Sequence, residues 1–423
     1  MSDSIILSSF GVYVGPIVEE QILDEDSSSI TIQIKLDKGD QLCKFCGSMN
    51  SLRIKDYKYK KYSFVNPNGK TLFVIFKQRR YVCCECGKTF LENNPFISNG
   101  KYKLSQQKIL LILEKLKESF LSVKYIAKTV GVSDQSVFNV MEDYVHFDRR
   151  TLPEFLSIDE YKGSNKDQGV GKYPCLLLNT ITHKPIDVIR SRRIDWLNDY
   201  FSKITFEERN RVKYVVIDMY EPYKTLMARF FPNAIVAIDP FHYVRYVTEA
   251  MDSTRLDVQR SFNEESKEYK ALQKNRDLLR RKDDPDPFKT RKASYIGPAK
   301  YPEPMLLNLC LKIDERVEKA YKLCHEFLTT YDHIKFKDSL AFLQTTISRF
   351  YASENEYFIE VAKTFQNWMK EISNSFIKFK NGFRLSNGPI EGTNNIVKIL
   401  KRVSFGFTNF DHQRARIMVY FDK

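Results

Sequence analysis

Hydrophobic residues alternate with polar ones in the N-terminal part of the chain. The stretch "SSSITIQIKL" places Ile30, Ile32, Ile34 and Leu36 at every second position, which is typical of a half-buried strand. A second extended run, "TLFVIFKQRRYVC", follows, and each run leads into a cluster of cysteines. The N-terminal region is therefore predicted to be rich in β-structure.

Helical spacing takes over in the segments "SQQKILLILEKLKESF", "SVKYIAKTV" and "DQSVFNVMEDYV". Ala127, Gly131 and Val137 match the core positions of a helix-turn-helix, with a small residue between two helices and a glycine in the tight turn. Ser133 is a suitable N-cap for the second helix. Three-helix units without a DNA role share this pattern, so both interpretations stay open. The side chains that would reach base edges are Asp134, Gln135, Ser136 and Asn139.

Short apolar runs return after Pro153, in the order of three strands, a helix, a strand, a helix and a strand. This order predicts a mixed sheet with covering helices, as in an RNase H-like domain. From about Phe241 to Leu385 the pattern is charged, helical and free of strands. Within it, "RRKDDPDPFKTRKASYIGP" is rich in Pro, Asp and Lys, which indicates a loop or a mobile segment.

Eight cysteines are present, and five of them fall within 44 positions. In a reducing compartment such a cluster indicates a metal site rather than disulfides. Two Cys-x2-Cys pairs at strand ends can supply the four thiolates of a tetrahedral zinc site. We assign Cys43, Cys46, Cys83 and Cys86 as the ligands, with Cys84 as an alternative to Cys83. Reduced structural thiols are the competing interpretation.

These patterns predict a multidomain α+β protein. It combines an N-terminal zinc ribbon, a helix-turn-helix and an RNase H-like catalytic domain with a mixed sheet, flanking helices and an α-helical insertion. The predicted domains are 1–98 (zinc-binding), 99–150 (helix-turn-helix), 151–240 (first part of the catalytic core), 241–384 (α-helical insertion) and 385–423 (final core helix and C-terminal segment).

Charge points to a polyanionic partner. The chain has 67 Lys and Arg against 53 Asp and Glu, a net charge of +14, which favours nucleic acid. Between Cys43 and Arg80, ten basic residues stand against the single Asp56 and alternate with tyrosines, and such a stripe suits contacts with phosphate. The candidates for these contacts are Lys58, Lys60, Lys61, Arg79 and Arg80.

Membrane association is not expected. The first thirty residues have no basic segment followed by a long apolar run, which a signal peptide would need. No later stretch approaches the roughly 18 consecutive apolar residues of a membrane span. We therefore expect a cytoplasmic protein.

Two aspartates occupy the predicted central strands, Asp159 within "LSIDEY" and Asp218 at the end of "VVIDMY". If these strands are neighbours, both carboxylates emerge at one edge of the sheet. Their mutual repulsion favours a divalent cation, and Mg²⁺ prefers oxygen ligands. Asp239 ends "IVAID" in the same manner and is either a further site residue or a strand-end cap.

A third carboxylate, Glu391, follows an Asn-Gly-Pro turn in "SNGPIEGTNNIVKILKR". With Pro389 near the first helical position, Glu391 falls in the first turn, where the helix dipole favours an anion. At about 100° per residue, Asn395, Lys398 and Arg402 share its stripe of the helix. A capping glutamate on a solvated face is the alternative. The side chains that could hold a phosphate backbone are Asn395, Lys398, Lys401 and Arg402.

The order of these motifs resembles that of bacterial insertion-sequence transposases of the ISL-three family, a DDE group. The segments that carry the resemblance are "IDEY", "VVIDMYEPY", "AIDPFHYVR" and "SNGPIEGTNNIVKILKRVSFGFTNFDHQRARI". It extends over nearly the whole chain and implies that Asp159, Asp218 and Glu391 form a catalytic triad that holds Mg²⁺ or Mn²⁺. It also implies that the N-terminal cysteines bind Zn²⁺. Asp239 and His242 are candidate accessory residues.

The reaction implied by the resemblance is phosphoryl transfer on DNA by two metal ions. Hydrolysis at the terminal inverted repeats comes first, and the freed 3′ hydroxyl then attacks target DNA. Because two ends must be brought together, we expect a homodimer on double-stranded DNA, associated with the bacterial nucleoid. The competing hypotheses are a DNA-binding regulator derived from a transposase and a metal-dependent nuclease without strand transfer.

Overall fold

A computed structural model describes residues 17–49, 51–64, 71–97, 103–145, 149–163, 172–379, 382–404 and 409–422. The chain divides into two compact units, which we call the N-terminal unit and the central unit. The N-terminal unit is Met1–Asp148 with Ser164–Gln168 and Asn395–Lys423, and the central unit is Arg149–Gly163 with Gly169–Asn394. The predicted segment 385–423 is thus shared between them.

A five-stranded sheet forms the first part of the N-terminal unit. Its strands are β1 (Ile17–Glu25), β2 (Ser29–Leu36), β3 (Leu52–Phe64), β4 (Thr71–Cys83) and β5 (Thr89–Leu91). Their order is β1-β2-β4-β3, with β5 paired to β4, and only β2 and β4 run parallel among these described strands. Ile30, Ile32 and Ile34 are buried, which confirms the strand predicted from their alternation.

Three helices follow in the same unit: α1 (Gln106–Leu116), α2 (Val123–Val130) and α3 (Asp134–Tyr144). Gly131 ends α2 in the left-handed conformation, and the hydroxyl of Ser133 accepts a hydrogen bond from the N–H of Ser136 at the start of α3. Both features were predicted from the sequence. The apolar faces of the three helices pack into one core, in which Ile126 and Val137 are fully buried.

The central unit is built on a mixed five-stranded sheet, as predicted. Its strands are β6 (Phe155–Glu160), β7 (Cys175–Asn179), β8 (Pro185–Ile189), β9 (Tyr214–Ile217) and β10 (Ile235–Ile238). Their order is β10-β9-β6-β7-β8. β6, β7 and β8 are antiparallel neighbours, whereas β9 runs parallel to β6 and β10 parallel to β9. The connecting helices are α4 (Ile194–Ser202), α5 (Phe206–Arg209) and α6 (Glu221–Phe230).

A long helical region follows β10. Its helices are α7 (Pro240–Arg260), α8 (Lys267–Lys274), α9 (Arg276–Arg280), α10 (Glu303–Leu311), α11 (Glu315–Tyr331), α12 (Phe336–Ala352), α13 (Glu356–Asn367) and α14 (Met369–Asn374). No helix in the described part of the chain has the length and apolar character needed to cross a bilayer.

The helical region is not free of strands, which corrects the prediction. β11 (Thr290–Lys292), within the segment predicted as a loop or a mobile stretch, forms a hairpin with β12 (Lys300–Pro302), which lies just after that segment. Glu303, fully buried, accepts hydrogen bonds from Arg281 and Arg291. Burial alone would raise the pKa of Glu303, but the two guanidinium groups hold it at about 2. This buried ion cluster orders the segment, and local composition gave no sign of it.

The last two helices are α15 (Gly388–Val403) and α16 (Phe410–Tyr420). α15 starts in the central unit and belongs to the N-terminal unit from Asn395 onward. Its predicted polar stripe, Glu391, Asn395, Lys398 and Arg402, is exposed, as expected for the outer face of the helix. Apolar side chains such as that of Val397 are buried on another face.

Arg416 of α16 is buried within the N-terminal unit and closes the end of α1. Its guanidinium donates to the carbonyl oxygens of Leu116, Glu118 and Leu121, at 2.6 Å for Glu118 and 2.9 Å for Leu121. Carbonyls at the end of a helix lack partners within the helix, and a cation satisfies both them and the helix dipole. Burial lowers the pKa of Arg416 to about 10. The C-terminal helix is therefore part of the three-helix core.

We expect Arg416→Met to destabilise the N-terminal unit by about 2–4 kcal/mol, because buried carbonyls would lose a charged donor. Denaturant unfolding of the full chain, with hydrogen exchange of the α1 amides, measures the change. Lys128→Met removes an exposed cation from α2 and should change the free energy of unfolding by less than about 0.5 kcal/mol. Equal effects of the two substitutions would contradict this role of Arg416.

Candidate functional site

Three aspartates lie at the same level of three neighbouring parallel strands. Ser157 of β6 is opposite Val216 of β9, and the same register, extended by two residues, places Asp159 opposite Asp218. The pairing of β9 with β10 likewise places Asp218 opposite Asp239. The two parallel pairings, rather than proximity in sequence, therefore bring these carboxylates to one edge of the sheet.

The carboxylate oxygens of Asp159, Glu160 and Asp218 lie within 4.8 Å of one another. Burial, and then the charge of Asp218, raise the pKa of Asp159 to about 7. Like charges at this distance repel, so the free energy of the three carboxylates is high when all are ionised. A divalent cation, which prefers oxygen ligands, would relieve the repulsion. These three side chains could therefore hold Mg²⁺ or Mn²⁺.

Glu160 was not among the predicted site residues. Neighbouring residues in a strand normally point to opposite faces, so the sequence argued for Asp159 alone. Glu160 is the last residue of β6, and its carboxylate accepts hydrogen bonds from the hydroxyl of Tyr223, at 3.0 Å, and from Arg192. These two donors turn Glu160 toward the aspartates.

His242, a predicted accessory residue, contacts the site directly. Its Nε2 lies 2.7 Å from Oδ1 of Asp218, since α7 begins immediately after β10 and carries His242 in its first turn. Burial lowers the pKa of His242, but the bond to Asp218 and the charge of Asp239 outweigh it and raise the value. His242 thus places a proton donor against one of the candidate metal ligands.

Asp239 holds the turn that precedes α15. It is buried, and its Oδ1 accepts a hydrogen bond of 3.0 Å from the backbone N–H of Asn387. Burial raises the pKa of Asp239, and the charge of Glu391 is among the further causes. Asp239 thus anchors the turn before the helix that carries Glu391, and its role as a further site residue stays a prediction.

Asn394 joins α15 to the acidic cluster. Its Nδ2 donates to Oδ2 of Asp159 at 2.7 Å, and its side chain is buried. Sequence reasoning missed Asn394 and assigned its neighbour Asn395 instead; the signal was the pair "NN", which does not reveal which amide faces inward. Glu391 lies one turn before Asn394, in the first turn of α15, with an exposed side chain outside the 4.8 Å cluster.

The four predicted zinc ligands lie together in the N-terminal unit. Sγ of Cys43 is 3.6 Å from that of Cys86, and Sγ of Cys46 is 3.6 Å from that of Cys83, close to the roughly 3.8 Å between sulfurs around a tetrahedral zinc ion. Cys84 is exposed and lies outside this group. The geometry therefore favours Cys83 over Cys84 as the third sulfur.

Each cysteine pair is shaped by a glycine. Gly47 and Gly87 have φ values of 77° and 68°, and their N–H groups donate to the carbonyls of Cys43 and Cys83 at 2.9 Å. The left-handed backbone favours glycine. The N–H of Cys86 lowers the pKa of Cys83, which favours the thiolate form that binds metal.

The predicted phosphate contacts of the N-terminal sheet fall into two groups. Lys58, Lys60 and Lys61 are exposed on the edge strand β3. Arg79 instead is buried and bonded to Glu92 at 2.8 Å, which gives it a structural role and corrects its assignment as a phosphate contact. Arg80 is half-buried and pairs with Asp56.

The remaining predicted contacts lie on α3 and α15. On α3, Gln135 is exposed and donates to the side-chain oxygen of Asn139 at 2.8 Å, and Ser136 and Asn139 are half-buried. On α15, Asn395, Lys398 and Arg402 are exposed and Lys401 is half-buried. No described contact of these residues identifies a ligand.

Comparison with known proteins gives the family. The family model of ISL3-type DDE transposases, described as "Transposase", matches residues 156–417, which is more than half of the chain and includes Asp159, Asp218 and Glu391. The chain belongs to this transposase family, which confirms the predicted resemblance and indicates an enzyme that transposes DNA.

Two curated proteins are similar to the chain. The transposase for insertion sequence element IS1001 of Bordetella parapertussis is 21% identical over 443 aligned residues, which cover 100% of this chain and 99% of that protein. An ATP-dependent protease of Lactococcus lactis subsp. lactis is 28% identical over 114 residues, 27% of this chain and 34% of that protein. The second match spans too little of either chain to bear on overall function.

Asn394→Asp tests the contact between α15 and the acidic cluster. A carboxylate in place of the donating amide should repel Asp159 and lower the free energy of unfolding in EDTA by about 1–3 kcal/mol. Mn²⁺ should restore more stability to this variant than it adds to the wild type, as measured by thermal unfolding. Asn395→Asp, at the exposed neighbouring position, is the control, and equal losses in both variants would refute the contact.

Proposed function

We propose that the protein binds the terminal inverted repeats of an insertion sequence and catalyses metal-dependent DNA cleavage and strand transfer. The observation that carries this proposal is the meeting of Asp159 and Asp218 at one edge of the central sheet, with α15 bonded to Asp159 through Asn394. The strand order β10-β9-β6-β7-β8, with two antiparallel and two parallel pairings, supports an RNase H-like fold for this unit.

Asp159, Asp218 and Glu391 are the proposed catalytic residues, with Glu160 beside them. Bound Mg²⁺ or Mn²⁺ would activate the attacking oxygen and stabilise the leaving one. In the first step a water oxygen forms a bond to phosphorus while the bond to the 3′ oxygen breaks, and that oxygen leaves as a hydroxyl. In the second step this hydroxyl forms the new bond to a target phosphorus and displaces a 3′ oxygen of the target.

Glu391 would join this site when a cation is bound. It is exposed, one helical turn before the residue that contacts Asp159, and an exposed side chain is free to turn toward a positive charge. The N–H groups at the start of α15 also favour an anion at this position. The bond from Asn387 to Asp239 fixes the turn that places it.

DNA binding is proposed for the N-terminal unit. The exposed Lys58, Lys60 and Lys61 on an edge strand suit phosphate contacts, which position a duplex without reading its sequence. The helix pair α2 and α3, joined by a short turn at Gly131, supports a helix-turn-helix in which Gln135 reaches a base edge. The exposed Lys398 and Arg402 of α15 would add further phosphate contacts.

Substitution of the triad tests the catalytic proposal. On a supercoiled plasmid that carries the DNA flanking the coding sequence, wild-type protein with Mn²⁺ should give cleaved and joined products. Asp159→Asn, Asp218→Asn and Glu391→Gln should each lower the cleavage rate by on the order of 10³-fold or more, because each removes a negative charge from the metal site. Gel analysis of the products measures the rates.

Glu207→Gln, which neutralises an exposed glutamate of α5, is the matched control and should cleave at the wild-type rate. Footprints at the flanking DNA without any cleavage would favour a DNA-binding regulator. Cleavage without joined products would favour a nuclease. If Glu391→Gln retains full activity, Glu391 only caps α15.

A zinc ion bound by Cys43, Cys46, Cys83 and Cys86 is proposed for the N-terminal unit. The sulfur separations, the two glycine turns and the four soft ligands support it, since structural zinc sites are closed by four such ligands. At this end of the sheet, Cys43, Cys83, Tyr81 and Phe90 form a small buried core, against which Cys86 packs.

Cys83→Ser and Cys84→Ser form a matched pair at adjacent positions. We expect Cys83→Ser to lose the zinc ion and to unfold the end of the N-terminal sheet, because three thiolates do not close the site. Cys84→Ser should keep one zinc ion per chain. Elemental analysis of the purified full chains measures the metal. Zinc loss in Cys84→Ser, with retention in Cys83→Ser, would make Cys84 the ligand instead of Cys83.

A further inference from the structure

Arg192 lies beside the acidic cluster and is held there by several contacts. Its guanidinium pairs with Glu160, and the guanidinium carbon is 4.6 Å from the ring centre of Tyr173 and 4.9 Å from that of Tyr220. Its backbone N–H donates to the carbonyl of Tyr173 at 2.9 Å. The side chain is therefore fixed at the edge of the sheet where the carboxylates meet.

The charge of Arg192 remains accessible in spite of these contacts. A third of its side chain (33%) is exposed, against 15% for Glu160. A guanidinium carries five N–H donors in a planar fork, which matches the oxygens of a phosphate, and the described bond to Glu160 uses only Nη1. The tyrosine rings restrict the side chain, so little conformational entropy would be lost on binding an oxyanion.

An ion pair that only stabilised the fold would not need an arginine that is partly exposed and restrained by two tyrosine rings. Tyr223 already orients Glu160 through a hydrogen bond of 3.0 Å, and a pair kept only for stability gains little when one partner is partly exposed. Arg192 also differs from Arg193, the next residue, whose side chain is 73% exposed and pairs with Asp195 on the surface. Of these two adjacent arginines, only Arg192 faces the acidic cluster.

We propose that Arg192 is a further catalytic residue that binds a non-bridging oxygen of the scissile phosphate. The proposal rests on the function proposed above. Negative charge on the phosphate oxygens has to be stabilised as the attacking oxygen bonds to phosphorus and the bond to the 3′ oxygen breaks. Arg192 donates hydrogen bonds to one of these oxygens and transfers no proton, and preorganised donors of this kind contribute strongly in a water-poor site.

The pairing with Glu160 is then the resting state of Arg192. In the absence of DNA, the carboxylate of Glu160 is bonded to Nη1, one of the donors that a phosphate oxygen would take. When a cation in the cluster binds the carboxylate of Glu160, the attraction between Glu160 and the guanidinium of Arg192 weakens. DNA and metal binding would therefore both favour the transfer of Arg192 from Glu160 to the phosphate.

The test compares Arg192→Ala with Arg193→Ala in the full-length protein. The plasmid described above serves as the probe, under single-turnover conditions with Mn²⁺ and saturating protein. Arg192→Ala should lower the cleavage rate by about 100-fold or more, whereas its dissociation constants for Mn²⁺ and for the same DNA should stay within about threefold of the wild type. Added guanidinium ion should restore part of the rate, and Arg193→Ala should match the wild type.

Three results would overturn the proposal. Arg192→Ala could cleave at the wild-type rate while Asp159→Asn does not, which would reject Arg192 and leave the proposed function intact. Arg192→Ala and Arg192→Lys could both lose Mn²⁺ binding together with cleavage, which would make Arg192 a support for Glu160. If wild-type protein and Arg193→Ala cleave no DNA, the proposed function and the role of Arg192 fail together.

Discussion

Repulsion between carboxylates at the edge of the central sheet is the constraint on which the site depends. Asp159 and Asp218 are opposite each other because β6 and β9 run parallel in register, and Glu160 adds a third carboxylate within 4.8 Å. The fold brings these negative charges together in a partly buried site, where desolvation disfavours the ionised form, as the raised pKa of Asp159 indicates. The contacts around the cluster, from Asn394, His242, Arg192 and Tyr223, each bring a hydrogen-bond donor to it.

The start of α15 is determined by residues far away in the sequence. Asp239 binds the backbone of Asn387, and Asp159 binds the side chain of Asn394, so two strand-end aspartates hold one helix from both sides of Glu391. A carboxylate on such a helix is presented to the site without being buried in it. This arrangement explains why Glu391 can be exposed and still belong to the active edge that we propose.

The two candidate metal clusters are built in different ways. The cysteine pairs are local, because each Cys-x2-Cys-Gly turn is closed by a glycine N–H within five residues, and only the antiparallel pairing of β3 and β4 is needed to bring the turns together. The carboxylate cluster is not local, since it draws on two strands and on contacts from α7 and α15. The first kind of site can be recognised from spacing, and the second only from topology.

The sequence determined the strand with Ile30, Ile32 and Ile34, the turn at Gly131, the succession of strands and helices along the central unit, and the helix that begins before Glu391. Short-range periodicity and capping depend on neighbouring residues, so these features can be predicted locally. Only the tertiary structure decided three other features: the burial of Arg79 and Arg416, the hairpin ordered by Glu303, and the contacts of Glu160, Asn394 and Arg192. In each of these cases the partner of a charged or amide group lies on another element, so nothing in the local pattern distinguishes an inward-facing side chain from a solvated one.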